Sequence, residues 1–88
     1  MALIFSRSQR FRRTYRKLQG DLREKVKARI ALALMNEFNP LLDNHALHGE
    51  WQGCRSINIT GDYRVIFERW PDTFYAVAVG THPELYGK

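Results

Sequence analysis

The sequence has few of the features that mark a membrane, secreted or disulfide-stabilised protein. Its single cysteine, Cys54, cannot form an internal disulfide and has no partner at metal-ligand spacing. No window approaches the roughly 18 apolar residues of a membrane span, and the apolar run at the start of the chain is too short for a signal peptide. We therefore expect a cytoplasmic protein in a reducing compartment, without membrane association.

Several catalytic signatures are also absent. The chain contains no Gly-rich phosphate loop, nucleophile elbow, HExxH or paired-carboxylate motif, which argues against nucleotide hydrolysis, acyl transfer and zinc proteolysis. His45 and His48 lie three residues apart but lack further ligands, so we expect no metal and no cofactor. No repeat, low-complexity stretch or linker divides the 88 residues, and this length predicts one domain, residues 1–88, with a single modest core.

Positive charge is concentrated at the start of the chain. Residues 1–29 hold ten of the fourteen Lys and Arg residues and two acids, a net charge of +8, whereas residues 30–88 hold four basic and seven acidic residues, a net charge of −3. This asymmetry suggests a polyanionic partner, either nucleic acid or an acidic protein segment. Solvated helix faces would give the same composition, and charge alone does not decide between the two interpretations.

The first half of the sequence predicts a short strand and a helical hairpin. The first five residues are an apolar run that is either an edge strand or an ordered terminus. Ser6 and Gln9 have capping-box spacing, and apolar residues then recur at helical spacing over residues 7–19. Gly20 is suited to end this helix, and a second amphipathic helix follows until Asn39-Pro40 stops it. The outer face of the first helix carries three basic residues: Arg10, Arg13 and Lys17.

A period of two replaces the helical period in the second half, after a polar loop over residues 42–53. Residues 55–60, 63–68 and 74–79 alternate or are rich in β-branched and aromatic side chains, which predicts three strands. Gly61-Asp62, between the first two, suits a two-residue type II′ turn. Sequential strands with short turns predict an antiparallel meander packed on the two helices, so the expected fold class is α+β.

Polar residues around these strands suit metal-independent cleavage of RNA. In that reaction the 2′-hydroxyl attacks the neighbouring phosphorus, which requires a general base, a general acid and cations at the phosphoryl oxygens. His82 follows a strand directly and is suited to either proton role, although a structural histidine fits its position equally well. Arg55 and Arg64 lie on neighbouring predicted strands, where they would either hold one phosphate together or pair with Glu68 or Glu50.

Three further residues have both a functional and a structural interpretation. Asp62 is suited to orient a histidine or to act as a base, yet aspartate is also a favoured turn residue. Tyr86 and Trp51 are suited to stack on a base, since single-stranded RNA is commonly bound on aromatic faces. Aromatic residues at such positions also pack in protein interiors, so the sequence leaves both interpretations open.

Several segments resemble the RelE/ParE superfamily of bacterial toxins from type II toxin-antitoxin systems, and YafQ-like toxins in particular. The likeness covers nearly the whole chain. The segments are His45-Ala46-Leu47-His48-Gly49-Glu50-Trp51, Gly53 with Arg55, Asp62-Tyr63, Gly80-Thr81-His82 and Leu85-Tyr86. The last two are the most specific. Residues 63–67 also look like the strand of RelE-type members in which a basic residue lies beside the scissile phosphate.

The resemblance implies a ribosome-dependent endoribonuclease that cuts mRNA in the A site and is held inactive by a cognate antitoxin protein. At matching positions it assigns functional roles to His45, Asp62, His82 and Tyr86. The family pattern has a histidine where this chain has Asn58, which cannot exchange a proton. Either His45 or Asp62 would then be the base, or activity would be weaker.

The remaining roles complete this hypothesis. His82 is the expected general acid, Arg64 and Arg55 stabilise charge, and Tyr86 stacks on or positions the substrate. Asn58, together with Arg13 and Lys17 on the basic helix, completes the expected contacts with substrate and ribosome.

Two other functions are compatible with the same fold. A ParE-like toxin binds DNA gyrase and cuts nothing, although Asp62, His82 and Tyr86 argue against it because a gyrase binder needs no proton-transfer groups. A catalytically inactive relative would bind only nucleic acid or an acidic partner, and Asn58 keeps that possibility open.

Overall fold

The structure is a computed structural model and describes residues 2–87. Its elements are β1 (Ile4–Arg7), α1 (Gln9–Lys17), α2 (Gly20–Met35), β2 (His45–Ala46), β3 (Arg55–Asn58), β4 (Tyr63–Arg69), β5 (Thr73–Thr81) and α3 (His82–Tyr86). Short 3₁₀ turns cover Pro40–Leu42 and Gly49–Trp51. Within residues 2–87, no helix is long and apolar enough to cross a bilayer.

The strands form one mixed sheet in the order β1-β5-β4-β3-β2. β3, β4 and β5 are the predicted antiparallel meander, and β1 joins the edge of the sheet by pairing parallel to β5. The predicted α+β class is confirmed. Of the N-terminal apolar run, Ile4 and Phe5 begin β1, which continues to Arg7, and Met1 lies outside the described residues. Two elements were not predicted: β2, within the region expected to be a loop, and α3, directly after the last strand.

The helix boundaries differ from the predicted ones because the capping residues differ. Ser8, not Ser6, caps α1, since its hydroxyl accepts a hydrogen bond from the backbone N–H of Phe11 at 3.0 Å. Gly20 does not end α1 as expected. It is the first residue of α2 and has no positive φ. α1 instead ends at Lys17, with extended backbone at Leu18 starting the connection to α2.

The two faces of the sheet pack against different parts of the chain. The face called here the helix face carries Ile57, Val65, Phe67, Phe74 and Val79. These side chains form the main core with residues of α1 and α2: Phe11, Val26, Ile30 and Ala33. The opposite face, called here the α3 face, carries Ser56, Asn58, Arg64, Ile66, Ala78 and Gly80. It holds a smaller core of Ile66, Ala78 and Leu85, against which Trp51 and Tyr86 pack. Because α1 and α2 cover one face only, the second face is available for a site.

The connection between β3 and β4 differs from the predicted two-residue type II′ turn. The N–H of Ile59 donates to the carbonyl of Tyr63 at 2.9 Å, which leaves three residues, 60–62, in the turn. Gly61 lacks the positive φ that a type II′ turn requires. The Thr60 hydroxyl closes the turn instead, accepting hydrogen bonds from the N–H groups of Asp62 (3.2 Å) and Tyr63 (3.1 Å).

Candidate active site on the α3 face

The centre of the α3 face is a row of three residues on adjacent strands. Asn58 pairs with Arg64 across β3 and β4, and Arg64 pairs with Gly80 across β4 and β5. The next row along the sheet runs from His45 through Ser56 and Ile66 to Ala78. These pairings bring His45, Asn58 and Arg64, all candidates from the sequence, onto one face of a rigid sheet.

Arg64 carries a positive charge that no acidic group balances. Its Nη1 donates to the carbonyl oxygens of Thr60 (3.2 Å), Gly61 (3.1 Å) and Tyr63 (3.3 Å), so the guanidinium lies against the β3–β4 turn. None of the ion pairs within residues 2–87 involves Arg64. The expected alternative of pairing with Glu50 or Glu68 is therefore not observed. A guanidinium that donates only to neutral carbonyls is suited to bind an anion, because a phosphate would supply both an opposite charge and acceptor oxygens in a geometry that matches the guanidinium.

Arg55 lies on the opposite side of the sheet, which corrects the expectation that Arg55 and Arg64 hold one phosphate together. Arg55 pairs with Phe67, a core residue of the helix face. Its Nε donates to Oδ1 of Asn44 at 2.7 Å, and its guanidinium lies over the Phe38 ring at 5.7 Å from the centroid. The two arginines therefore cannot contact the same phosphate.

α3 brings His82 and Tyr86 to the α3 face. Thr81 caps this helix through a capping box in which Oε1 of Glu84 accepts from the N–H (2.7 Å) and the hydroxyl (2.9 Å) of Thr81. These hydrogen bonds lower the pKa of Glu84, because they stabilise its charged form. The rings of His82 and Tyr86 lie 4.5 Å apart between centroids, with His82 exposed and Tyr86 half-buried.

Gly80 allows this helix to approach the sheet closely. A Cβ at this position would lie 3.1 Å from Oε1 of Glu84 and 3.5 Å from Cδ2 of Leu85. A Cβ here would require Oε1 of Glu84, the oxygen that accepts from Thr81, to move by a few tenths of an ångström.

His45 is held with one ring nitrogen turned to the backbone. Its Nδ1 lies 2.7 Å from the carbonyl oxygen of Asp43. A carbonyl oxygen only accepts, so Nδ1 carries the proton and Nε2 of the neutral ring is the acceptor nitrogen. This tautomer is the one in which Nε2 can take a proton from a substrate hydroxyl.

The other polar candidates are arranged less tightly. Asp62 is exposed in the β3–β4 turn, and within residues 2–87 its carboxylate makes no hydrogen bond or ion pair. Oδ1 of Asn58 and Oγ of Ser56 are buried on the α3 face without a hydrogen-bond partner in the described chain. Within residues 2–87, no three His, Cys, Asp or Glu residues are grouped as metal ligands.

Basic residues form two surfaces outside this row. Arg10, Arg13 and Lys17 of α1 are exposed, although the Arg10 guanidinium turns towards Trp51 and lies over its ring. A separate groove of about 540 Å³ lies between β1, α1 and α2. Its floor is apolar, with Phe5, Phe11, Val26 and Ile30 among its lining residues, and its rim carries four basic residues: Arg7, Arg12, Arg16 and Lys27.

Sequence reasoning missed the helical form of the C-terminal segment, although the signal was present. Thr81 and Glu84 have the spacing of a capping box, and Pro83 is typical of the first turn of a helix. It also missed the bond that attaches this helix to the rest of the protein: the indole N–H of Trp51 donates to the carbonyl of Leu85 at 2.9 Å.

Comparison with solved structures finds the same fold in bacterial toxins. YafQ from E. coli strain BL21(DE3) superposes with a TM-score of 0.79 at 22% identity, covering 94% of this chain and 97% of that one. YafQ in the E. coli DinJ-YafQ toxin-antitoxin complex gives a TM-score of 0.76 at 20% identity, covering 99% of this chain and 100% of that one. A YoeB/ParE toxin from Agrobacterium tumefaciens gives 0.75 at 18% identity, covering 91% of this chain and 99% of that one.

Sequence comparison identifies the family. No curated protein matches the chain. The family model for the bacterial toxin of the type II toxin-antitoxin system, YafQ, matches residues 3–87. This match spans almost every residue of the sheet and helices described above, and the solved relatives share their arrangement. The chain belongs to the YafQ family of type II toxin-antitoxin toxins.

Proposed function

We propose that this protein is a ribosome-dependent endoribonuclease that inhibits translation by cutting mRNA. The observation that carries the proposal is Arg64, an arginine that has no acidic partner within residues 2–87. It lies on a central strand of the sheet, on the face against which Tyr86 of α3 packs with its ring beside that of His82. A structural arginine in an apolar sheet would be expected to pair with a carboxylate, as Arg69 pairs with Glu37 at 2.8 Å. An unpaired one is suited to a phosphate.

His45 is the general base in this proposal. The carbonyl of Asp43 fixes its Nδ1 as the protonated nitrogen, which leaves Nε2 to take the proton of the attacking 2′-hydroxyl. β2 lies two strands away from β4, roughly 10 Å, a span that the long Arg64 side chain and a bound nucleotide bridge together. Asp62 is exposed in the turn and has no partner that would orient it, so it is the weaker candidate.

His82 is the general acid, and Arg64 stabilises the phosphoryl oxygens. The Nη1 of Arg64 donates to three neutral carbonyls, and a bound phosphate would give the guanidinium an acceptor of opposite charge. The Tyr86 ring contacts the His82 ring at a tilt of 53° and would limit its movement over the face. Asn58 lies beside Arg64 and contributes a polar contact rather than a proton. Arg55, on the helix face, stabilises the fold through Asn44 and lies outside the phosphate site.

The basic outer face of α1 supplies the contacts with the ribosome. Arg13 and Lys17 are exposed and lie outside the groove between α1 and α2, so they are available to rRNA phosphates. We expect little cleavage of free RNA, because the α3 face offers one cation and few ordered proton-transfer groups.

An antitoxin protein with an acidic, amphipathic segment is the proposed inhibitor. The groove between β1, α1 and α2 has an apolar floor and a basic rim, which complements such a segment in both hydrophobicity and charge. The solved E. coli YafQ of the DinJ-YafQ complex is bound to its antitoxin. A segment continuing from the groove around the sheet edge would also cover Arg64 or His82.

The antitoxin site is tested by two matched substitutions on α2. Ala31 lines the groove and Ala28 does not, while both are exposed in the same helix. Ala31→Glu should weaken the complex with the antitoxin encoded by the adjacent open reading frame, since it adds a negative charge where the acidic segment binds. Ala28→Glu should leave it unchanged, and equal weakening by both would show that the groove is not the site.

The nuclease is tested by reconstituted translation followed by mapping of mRNA 5′ ends, with and without ribosomes. We expect new ends only in mRNA on translating ribosomes, and none after His45→Ala or His82→Ala. Efficient cleavage of naked RNA at the same positions would contradict the ribosome requirement. Absence of cleavage together with inhibition of gyrase supercoiling would replace the nuclease with the ParE-like function.

A further inference from the structure

The C-terminal helix that carries His82 and Tyr86 depends on contacts with the rest of the chain. α3 has five residues, fewer than a helix needs to persist in water by itself. Its N-terminus is closed locally by the capping box of Thr81 and Glu84, and its C-terminus by the N–H of Gly87, which donates to the carbonyl of Pro83 at 2.8 Å. These bonds stabilise the helix but do not fix it against the sheet.

One side-chain hydrogen bond attaches α3 to a distant part of the described chain. The indole N–H of Trp51 donates to the carbonyl oxygen of Leu85 at 2.9 Å, across 34 positions of sequence. Carbonyls in the last turn of a helix have no partner within it, so the indole satisfies one that would otherwise need water. The Leu85 side chain is also buried against Ile66 and Ala78. Apolar packing is not directional, so the hydrogen bond to the Leu85 carbonyl is what orients α3 on the sheet.

Trp51 is itself held from two sides. It packs, half-buried, against the small core of the α3 face. The guanidinium of Arg10 lies over its ring, 5.3 Å from the centroid, which is cation-π geometry. The ring is therefore already in contact with α1, with the sheet and with α3, and this arrangement argues against the expectation that Trp51 stacks on an RNA base.

We propose that Trp51 is a positioning residue: through its hydrogen bond to Leu85 it fixes α3 on the sheet, and thereby sets His82 and Tyr86 relative to Arg64. Tyr86 directly follows Leu85 in the chain. His82 lies one helical turn before Tyr86, and the two rings are in contact. Release of Leu85 would let both rings move together. The proposal rests on the proposed nuclease, because it concerns placement of the acid for that reaction.

The two tryptophans provide a matched comparison. Trp70 also donates its indole N–H, to Oε1 of Glu68 at 3.0 Å, and also stacks on an aromatic ring, that of Tyr75, but its indole bond is made to a residue of β4 and not to α3. Trp51→Phe and Trp70→Phe therefore each remove one indole hydrogen bond while keeping an aromatic side chain. Only the first should affect the active site.

Single-turnover cleavage on ribosomes separates positioning from binding. We expect Trp51→Phe to lower the maximal cleavage rate by about 10- to 100-fold, the range that misplacement of a catalytic group by about 1 Å produces. The toxin concentration giving half-maximal rate should change less than about threefold, and Trp70→Phe should leave both values near wild type. If the toxin concentration giving half-maximal rate instead rose by as large a factor as the maximal rate fell, Trp51 would be a binding residue and the proposal would be overturned.

A second measurement tests the attachment of α3 without using cleavage. Hydrogen exchange at the amide of Gly87, which is bonded within α3, should become at least about tenfold faster in Trp51→Phe and stay unchanged in Trp70→Phe. If the wild-type protein cuts no RNA, the nuclease fails, and this comparison still decides whether Trp51 holds α3. Unchanged exchange and unchanged cleavage in Trp51→Phe would overturn the role of Trp51.

An isosteric analogue covers the case in which Trp51→Phe disturbs packing. Benzothienylalanine, incorporated at position 51 in the Trp70→Phe background, keeps the bicyclic ring but replaces its N–H with sulfur. Loss of cleavage rate with this analogue assigns the effect to the hydrogen bond. Wild-type rate with the analogue, beside a slow Trp51→Phe, would assign it to packing and would likewise overturn the proposal.

Discussion

Replacement of Arg64 by glutamine tests the charge at the centre of the proposed site. The substitution removes the guanidinium that donates to the carbonyls of Thr60, Gly61 and Tyr63 and, in the proposed reaction, to the phosphoryl oxygens. Loss of one preorganised donor to charge that develops in a transition state costs about 3–4 kcal/mol, or 10²- to 10³-fold in rate. We therefore expect cleavage on ribosomes to fall by about that factor.

The effect on stability should be much smaller. All three carbonyls accept from the same nitrogen, Nη1, of a half-buried side chain, so together they count as about one hydrogen bond. One hydrogen bond contributes about 1 kcal/mol net to the free energy of unfolding. A loss of about 1 kcal/mol lowers the Tm of a domain of this size by about 4–8 °C. Arg64→Gln should therefore remain folded at 25 °C while losing nearly all activity.

Arg23 provides the control for this experiment. Its Nη1 also donates only to backbone carbonyls, those of Leu18 at 3.0 Å and Arg16 at 3.4 Å, but in the turn between α1 and α2. Arg23→Gln should show a similar decrease in Tm with cleavage within about threefold of wild type. Circular dichroism melts and single-turnover cleavage of labelled mRNA give both numbers. Similar rates for Arg64→Gln and Arg23→Gln would refute the assignment of Arg64 to the phosphate.

Three further variants test the acid, the ribosome contacts and the helix cap. His82→Ala should lower the cleavage rate by about 10²- to 10⁴-fold with ribosome binding intact, whereas undiminished growth inhibition would remove His82 from the mechanism. Arg13→Glu combined with Lys17→Glu should weaken ribosome binding and flatten its salt dependence in a co-sedimentation assay, and an unchanged slope would show that this face only contacts solvent. Hydrogen bonds from Thr81 lower the pKa of Glu84, so its contribution to stability is present above the ordinary Glu pKa and is lost as the pH falls through the lowered value. Urea unfolding should accordingly find the wild type more stable than Glu84→Gln at pH 7, by a difference that shrinks as the pH falls below the ordinary Glu pKa, and a pH-independent difference would contradict the cap.

The helices and the meander were predictable because their signals are local and repeated. A stripe of apolar residues over several turns defines α2, and alternation over a few residues defines β3 and β4, whichever neighbours they meet. The predicted helix boundaries were wrong where each depended on a single capping residue. Ser6 and Ser8 are both able to cap a helix, and only the bond from Ser8 to Phe11 distinguishes them. Gly20 satisfies the pattern for a helix end and equally tolerates the start of the next one.

Long-range pairing was not predictable in the same way. The parallel contact of β1 with β5 joins residues about 70 positions apart, and nothing within either strand specifies its partner. The same holds for the hydrogen bond between Trp51 and Leu85. Both contacts depend on the arrangement of the whole sheet and not on the sequence of any one element.

The prediction that Arg55 and Arg64 hold one phosphate together was wrong because the turn between β3 and β4 differs from the predicted one. A two-residue turn at Gly61-Asp62 would pair Arg64 with Ile59, which would place Arg64 on the same face of the sheet as Arg55. In the structure the turn holds three residues, and Arg64 pairs with Asn58 instead. A shift of one residue moves a side chain to the other face of a sheet. Closure of the turn by the Thr60 hydroxyl therefore separates the two arginines: Arg55 binds Asn44 beside the helices, and Arg64 joins the face that carries α3.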